Sequence, residues 1–337
     1  MMTPIEKQAQ FLKKIDDLLP GNTTLVAELS DVLRISSDSA YRRMRGETLL
    51  VIDEILLLCN HFNVSFDSLN PAHEGVVSFR YSKMEPTRDS LINYLTGLLK
   101  DIEIIGRAAS PRITYACEDI PVFHHYRNPV MARFKLFYWM QAILNIPEME
   151  SSLFSSDGTD EELGNIVRRI YEEYAAIPSV EVWTETTIQS TAKQVEFFWE
   201  AGKFASKADA LAVCSSFREE IAGIQKQAER STKLSDTKAG NTGEAVNYQL
   251  YYSDIEITNN SVLIEVGNLS SVYLGHFSFS TMSTTSDTYC HDTRKWFDTI
   301  IRKATLISGM SEKLRYQVFR KFFNQIDALE QKISNGA

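Results

Sequence analysis

Hydrophobic residues recur along this chain first at helical and later at strand spacing, with the change near residue 76. In residues 4–18 (PIEKQAQFLKKIDDL), Ile5, Phe11, Leu12, Ile15 and Leu18 share one side of a 3.6-residue period, which predicts an amphipathic helix. Pro20 and Gly21, in LLPGNTT, end it. Residues 24–69 carry the same period in three or four shorter helices. LVAELSDVLRI supplies Leu25, Leu29, Val32 and Leu33, SDSAYRRMRG follows, and LLVIDEILLLCNHFNVSFDSL predicts an apolar helix that closes a small core. SLNPAHEG (68–75) is rich in turn formers and predicts a boundary.

Beyond the boundary, VVSFRY (76–81) and RITYAC (112–117) read as strands with a helix around 87–106 between them. RNPVMARFKLFYWMQAIL (127–144) predicts a helix buried on most sides. Thr159 and Glu162 form a capping-box pattern before a helix near 160–175. VEVWTE (180–185) alternates as a strand should. Helices are expected at about 186–203, with Ile188, Val195, Phe198 and Trp199 on one side, and at about 207–229, starting from Ser206. TKLSDTKAGNTGEA (232–245) is polar enough to be a linker or long hairpin loop. Residues 247–283 predict three or four antiparallel strands with turns at NN and GN. Helices near 287–307 and 311–333 follow, the last with a stripe of Leu314, Val318, Phe322, Ile326, Leu329 and Ile333 long enough for helix pairing.

The stretch SSDSAYRRMRGE (36–47) places three arginines within four positions. On a helical wheel with Ala40 at 0°, Met44 falls at about 40° and Tyr41 at about 100°, one semi-apolar side. Arg45 falls at about 140°, Asp38 at about 160°, Arg42 at about 200°, Ser39 at about 260° and Arg43, flanking, at about 300°. Ser37 is a natural N-cap and Gly46 the expected residue just past the end. Only Arg34, Ile35 and Ser36 connect this helix to the one before it, so the two must cross steeply. The second then stands out where it can enter a DNA major groove.

Taken together, LSDVLRIS, SSDSAYRRMRGE and LLVIDEILLLCNHFNVSFDSL resemble the helix-turn-helix of the Xre/Cro repressor-like class, most closely its BetR-type variant in bacterial regulators. The resemblance covers less than a fifth of the chain. It implies that Ser37, Asp38 and Ser39 face base edges, that Arg42 and Arg43 reach bases or adjacent phosphates, and that Arg45 reaches phosphate, with double-stranded DNA as the partner. Two positions depart from the pattern: Arg34 stands where glycine often makes the turn, and Val51 where a serine or threonine usually caps the closing helix. The expected fold class is therefore an all-α helix-turn-helix N-terminal domain (1–72) and an α/β (α+β) body (76–337) with a mixed or antiparallel sheet, with a further subdivision foreseen near 230–246.

Charge sharpens this picture. Residues 34–45 carry net +3 against a whole-chain charge of −9, which leaves −12 on the other 325 of 337 residues. An acidic surface repels phosphate, which excludes a general nucleic-acid coat but not a small basic reading head. Such a head neutralises few phosphates, so a monomer binds poorly and a homodimer is expected, with its heads about 34 Å apart along the duplex. A body several times larger than the head implies a small-molecule or protein effector as well. The start of the chain lacks the apolar core of a signal peptide, and the longest apolar stretches are too short for a span. A cytoplasmic location with no membrane partner is expected. The four cysteines lie far apart without a CxxC pair, as reduced thiols do.

Other candidate chemistry is thin. CEDIPVFHHY (117–126) concentrates Cys117, Glu118, Asp119, His124 and His125, types that bind metal. Adjacent histidines in a strand point to opposite sides, however, and no second spaced pair exists, so a structural loop is expected and no metal. Phosphate-cradling, dinucleotide and nucleophile motifs are absent, so neither an enzyme nor a cofactor is expected. The aromatics of 123–139 have the spacing of core packing, not of an RNA-stacking sheet. SGMSEK (308–313), at a helix start, could hold an anion. These observations point to a DNA-binding transcriptional regulator; the alternative is a protein-interaction adaptor that uses the helical head without binding DNA.

Overall fold

The computed structural model describes residues 3–19, 23–62, 64, 76–158, 160–234, 246–276 and 280–336. These divide in sequence between Phe79 and Arg80 into two compact units. The boundary peptide SLNPAHEG and most of the polar segment 232–245 lie outside the described residues.

The described residues of the first unit hold four helices: α1 (Pro4–Asp16), α2 (Leu25–Leu33), α3 (Ser37–Met44) and α4 (Ile52–Phe62). A capping box starts α1, with Thr3 Oγ1 accepting the Glu6 N–H and Glu6 Oε2 accepting the Thr3 N–H at 2.7 Å. Phe11, Leu12, Ile15, Leu25, Leu29, Ala40, Leu50, Leu58 and Val64 form the core. Ile5 and Leu18, expected on the packed side of α1, are exposed: Ile5 lies on its first turn and Leu18 beyond its end.

The closing helix is apolar on more sides than the small core can cover. Leu58 is its one fully buried residue and Ile55, Cys59 and Phe62 pack partly, whereas Ile52, Leu56 and Leu57 are exposed. Its start lacks a hydroxyl cap, Val51 standing there; Glu54 Oε2 accepts the Val51 N–H instead, at 3.2 Å.

The second unit is a single mixed sheet of eight described strands with helices on both faces. The strands are β1 (Arg80–Tyr81), β2 (Arg112–Cys117), β3 (Ser179–Trp183), β4 (Tyr248–Tyr252), β5 (Ser261–Val266), β6 (Leu269–His276), β7 (Ser280–Thr284) and β8 (Thr305–Leu306). Their order is β1-β7-β6-β5-β2-β3-β4-β8. β2, β3 and β4 run parallel; β5 joins β2 antiparallel and extends through β6 and β7 to β1. The expected antiparallel meander is thus real for β5 to β7, where Gly267 (φ 56°) sits in the two-residue turn between the paired Val266 and Leu269. β4 departs from it, pairing with β3 from Ser179↔Tyr248 to Trp183↔Tyr252. The NN pair makes no hairpin. Asn260 Oδ1 instead accepts the N–H groups of Glu118 and Asp119 at 3.0 and 3.2 Å, fixing the loop that leaves β2. β1 is also shorter than the VVSFRY run implied, and β8 replaces the expected tail of the helix before it.

Alternation along the strands sends Ile113, Tyr115, Cys117, Trp183, Tyr248, Leu250 and Ile264 to one face. There they meet α5 (Arg88–Arg107), α6 (Val122–His125), α7 (Pro129–Tyr138), α8 (Glu161–Ala176), α9 (Gln189–Glu200), α10 (Lys207–Arg230) and α12 (Glu312–Asn335). The other face, with Ala116, Val182, Leu263 and Val272, is covered by Cys290, Phe297 and Ile300 of α11 (Asp287–Lys303). α7 passes into a π turn at Trp139–Ile143. Asp160 caps α8 by accepting the Leu163 N–H at 3.1 Å; Thr159 lies outside the described residues. The stripe of α12 is internal: Val318, Phe322, Ile326, Leu329 and Ile333 are buried in the body's own core, and Leu314 is exposed. At the SGMSEK turn a cation is held instead, as Arg315 Nη1 donates to the carbonyl of Gly309 and to that of Ile307 just before the turn. Among the described residues no helix is long and apolar enough to cross a membrane, and none of the four cysteines forms a disulfide.

Candidate nucleic-acid interface and the buried network of the body

α3 owes its position to the turn before it. Arg34 adopts the left-handed conformation (φ 53°, ψ 45°), the shape that glycine supplies most cheaply, and Ile35 N–H closes α2 by donating to Ser30 at 3.1 Å. Ser36, one residue before the expected cap, accepts the Ser39 N–H on its Oγ. Ser37 and Asp38 therefore occupy the exposed first turn, where a carboxylate suits the positive end of the helix. Ser39 is half-buried and shares a hydroxyl contact with Ser36 at 3.1 Å. Ala40 anchors the helix to the core, while Tyr41, expected to help it pack, is half exposed.

The three arginines separate into two kinds. Arg42 and Arg45 project into solvent, with side chains 55% and 54% exposed, and share one partner, Glu47. Arg45 bonds it through Nε at 2.7 Å and Nη2 at 3.2 Å, whereas Arg42 only approaches to 3.9 Å. Hydrogen bonding to Arg45 holds the Glu47 carboxyl below its usual range. Arg43 turns inward. Its side chain is 15% exposed, and it forks onto Glu54 through Nη2 at 2.6 Å and Nε at 3.0 Å, with Nη1 donating to Ser39 O at 3.2 Å. The expectation that Arg43 reaches DNA is therefore revised: its guanidinium braces α3 against α4. The wheel contained this, since Arg43 lies only about 60° from the buried Ala40. Its partner, eleven residues away, does not show in any local pattern.

A second buried polar group holds the same region. Gln8, on α1, donates through Nε2 to the carbonyls of Arg43 at 2.8 Å and Thr48 at 2.9 Å and accepts the Leu50 N–H at 2.6 Å. One amide thus satisfies three backbone groups, one at the end of α3 and two in the segment after it. Within that segment Gly46 has φ 72°, and a Cβ there would stand 2.6 Å from Ile5 Cγ2.

In the body, polar groups that the sequence left scattered are brought together. Glu181 faces the packed side of β3 with no exposure. It accepts from His124 Nε2 (2.8 Å), Tyr174 Oη (2.5 Å), Trp183 Nε1 (2.8 Å) and Tyr248 Oη (3.0 Å). Burial pushes its carboxyl up, but these donors and nearby Lys233 outweigh that and keep it ionised. Lys233 is itself buried, bonded to the carbonyls of Tyr174 and Ile177, and burial pulls its ammonium down to about 7.

A second group lies beyond α6. His125 Nδ1 meets Glu220 Oε1 at 2.9 Å, and Lys135 Nζ donates to Thr191 Oγ1 and Gln194 Oε1, both at 2.8 Å. Burial drives Glu220 up to about 8, Lys135 down to about 8, and His125 well below the usual histidine range. The two histidines therefore do not diverge from a strand. They sit on one short helix, each with a different carboxylate. Among the described residues no set of three metal-ligating side chains gathers, there or elsewhere. The dense aromatics nearby are core: Phe123 stacks on Tyr174 at 4.3 Å, and Phe134 packs edge-on to Phe154 and Phe198. A carboxylate at a core-facing strand position between Ser179 and Trp183 was the one sequence sign of this network.

Comparison of the chain with protein families, curated proteins and solved structures returns no match.

Proposed function

We propose that the chain is a sequence-specific DNA-binding transcriptional regulator, its four-helix unit reading the major groove and its larger unit providing dimerisation and effector response. The observation that carries this reading is the outer side of α3. Arg42 and Arg45 stand exposed beside the uncovered first turn of Ser37 and Asp38, while Arg43, Gln8 and the left-handed Arg34 hold the helix from behind. The sequence resemblance to Xre/Cro-like regulators supports it as well. A rigid, cationic helix held on a small core is what phosphate positioning and base-edge contact require.

Glu47 does not oppose this role. Exposed ion pairs are worth about 0–1 kcal/mol, so a phosphate draws Arg42 and Arg45 away at small cost. With two phosphates neutralised per head, a dimer has a salt slope of about −3.6 in log K against log salt. The test is retention of the full-length protein on random duplex DNA as salt rises. Steep loss between low and moderate salt, abolished in an Arg42→Ala, Arg45→Ala variant, supports the regulator; no retention at any salt refutes it.

The exposed apolar residues of α4, Ile52, Leu56 and Leu57, favour a second reading, in which the head docks on another protein. That reading predicts no retention at low salt and no effect of the arginine replacements.

A further inference from the structure

One end of the body contains a cavity that DNA binding does not use. It lies between α5 and the strands β2, β5, β6 and β7 and has a volume of about 520 Å³. α5 packs along α8, so it spans this half of the sheet without filling the space beneath it. Part of its wall is apolar, formed by residues such as Ile102, Ile105, Ile113, Val262 and Ile264, and Arg80, Lys83, Asp101 and Thr281 also line it. At one end it gathers a cluster of Asp119, His125, Lys135 and Gln194.

Two atoms at that end are incompletely paired. Asp119 Oδ1 is buried and has no hydrogen-bond partner among the described residues. Lys135, 3% exposed, spends two N–H groups on Thr191 and Gln194, which leaves a third donor of its ammonium without a hydrogen-bond partner among the described residues. Buried polar atoms are nearly always satisfied, so a spare acceptor and a spare donor at one end of a partly apolar cavity mark where a bound group completes the set.

We propose that the body binds a small amphiphile here, with an apolar chain along α5 and a head that donates to Asp119 and accepts from Lys135; a carboxamide is the simplest such head. A fatty carboxylate sets its charge against Asp119, and an alkylamine sets its own against Lys135. This inference rests on the regulator reading for its biological sense, since it names the class of effector, but binding itself is measured without DNA.

The test titrates octanamide, octanoate and octylamine into the full-length protein, followed by calorimetry and by tryptophan fluorescence, because Trp139 lines the cavity. Octanamide is expected to bind saturably, one per chain, with the other two at least about tenfold weaker, and Asp119→Ala to weaken octanamide by about tenfold or more. Ile264→Trp, which fills the cavity from its floor, should abolish binding. Gly97→Phe serves beside it and should abolish binding too, because a Cβ added at this lining position meets no atom within 4 Å.

Failure of octanamide to bind the wild type, a preference for octanoate or octylamine, or binding to both filled variants as tight as to the wild type overturns the proposal. Octanamide binding without retention on duplex DNA leaves this site standing and removes the regulator reading; retention on DNA without octanamide binding does the reverse.

Discussion

Replacing Arg42 and Arg43 one at a time separates contact from support within a single turn of helix. Arg43 forks onto Glu54 with both side chains about one-seventh exposed, and Glu54 also accepts the Val51 N–H that starts α4. Arg43→Ala leaves that carboxylate partly buried without its cation. Losing a charge-assisted bond of this kind costs about 1.5–3 kcal/mol, and the residual exposure argues for the middle of that range, about 2 kcal/mol. In a domain of this size each kcal/mol moves the melting midpoint by about 4–8 °C, so the head should melt roughly 10 °C lower. Arg42, with its single 3.9 Å approach to Glu47, offers nothing comparable, and Arg42→Ala should leave the midpoint within about 2 °C.

All four tryptophans, Trp139, Trp183, Trp199 and Trp296, lie in the body, so their fluorescence follows that unit alone. Hydrogen exchange of the α2, α3 and α4 amides in the full-length protein reports the head. On DNA the order inverts: Arg42→Ala in a dimer lowers the salt slope by about 1.8, whereas Arg43→Ala well below its melting temperature keeps the slope. Unchanged exchange protection in Arg43→Ala together with lost DNA binding would refute this division of labour.

Three further outcomes follow from the same contacts. Glu47→Gln frees Arg42 and Arg45 and removes one negative charge per head, so duplex affinity at low salt should rise severalfold; fluorescence anisotropy with a labelled duplex measures it, and an unchanged or weaker affinity argues against phosphate contact. Gln8→Ala orphans the Leu50 N–H and the carbonyls of Arg43 and Thr48, and should destabilise the head by about 2–3 kcal/mol, seen as faster exchange in α3 and α4 with an unaltered tryptophan melt. In the body, Glu220 is raised by burial to about 8 from an ordinary 4.5, so the folded state binds its proton more tightly and the stabilisation is lost as pH climbs. Wild-type stability should therefore fall relative to Glu220→Gln between about pH 4.5 and 8 in denaturant titrations, and a flat difference across that window would show that Glu220 ionises freely.

What the sequence determined by itself is most of the elements and much of their facing. Local spacing placed α1 to α4, the strand RITYAC, the Ser206 start of α10 and the amphipathic terminal helix, because period and capping chemistry act within a few residues. The exposed sides of Arg42 and Arg45 were legible for the same reason. Tertiary structure decided the partners. β4 alternates as well beside β3 as it would in a hairpin, so only pairing across the chain shows that it extends the parallel strands. Gln8, Arg43, His125 and Glu181 read as ordinary polar residues until the fold removes water around them, and each then bonds a group 11 to 95 positions away. The cavity is less local still: its wall draws on α5, α6, α7, α9 and both kinds of strand pairing, and its empty volume follows from how α5 is held, a property that no single segment carries.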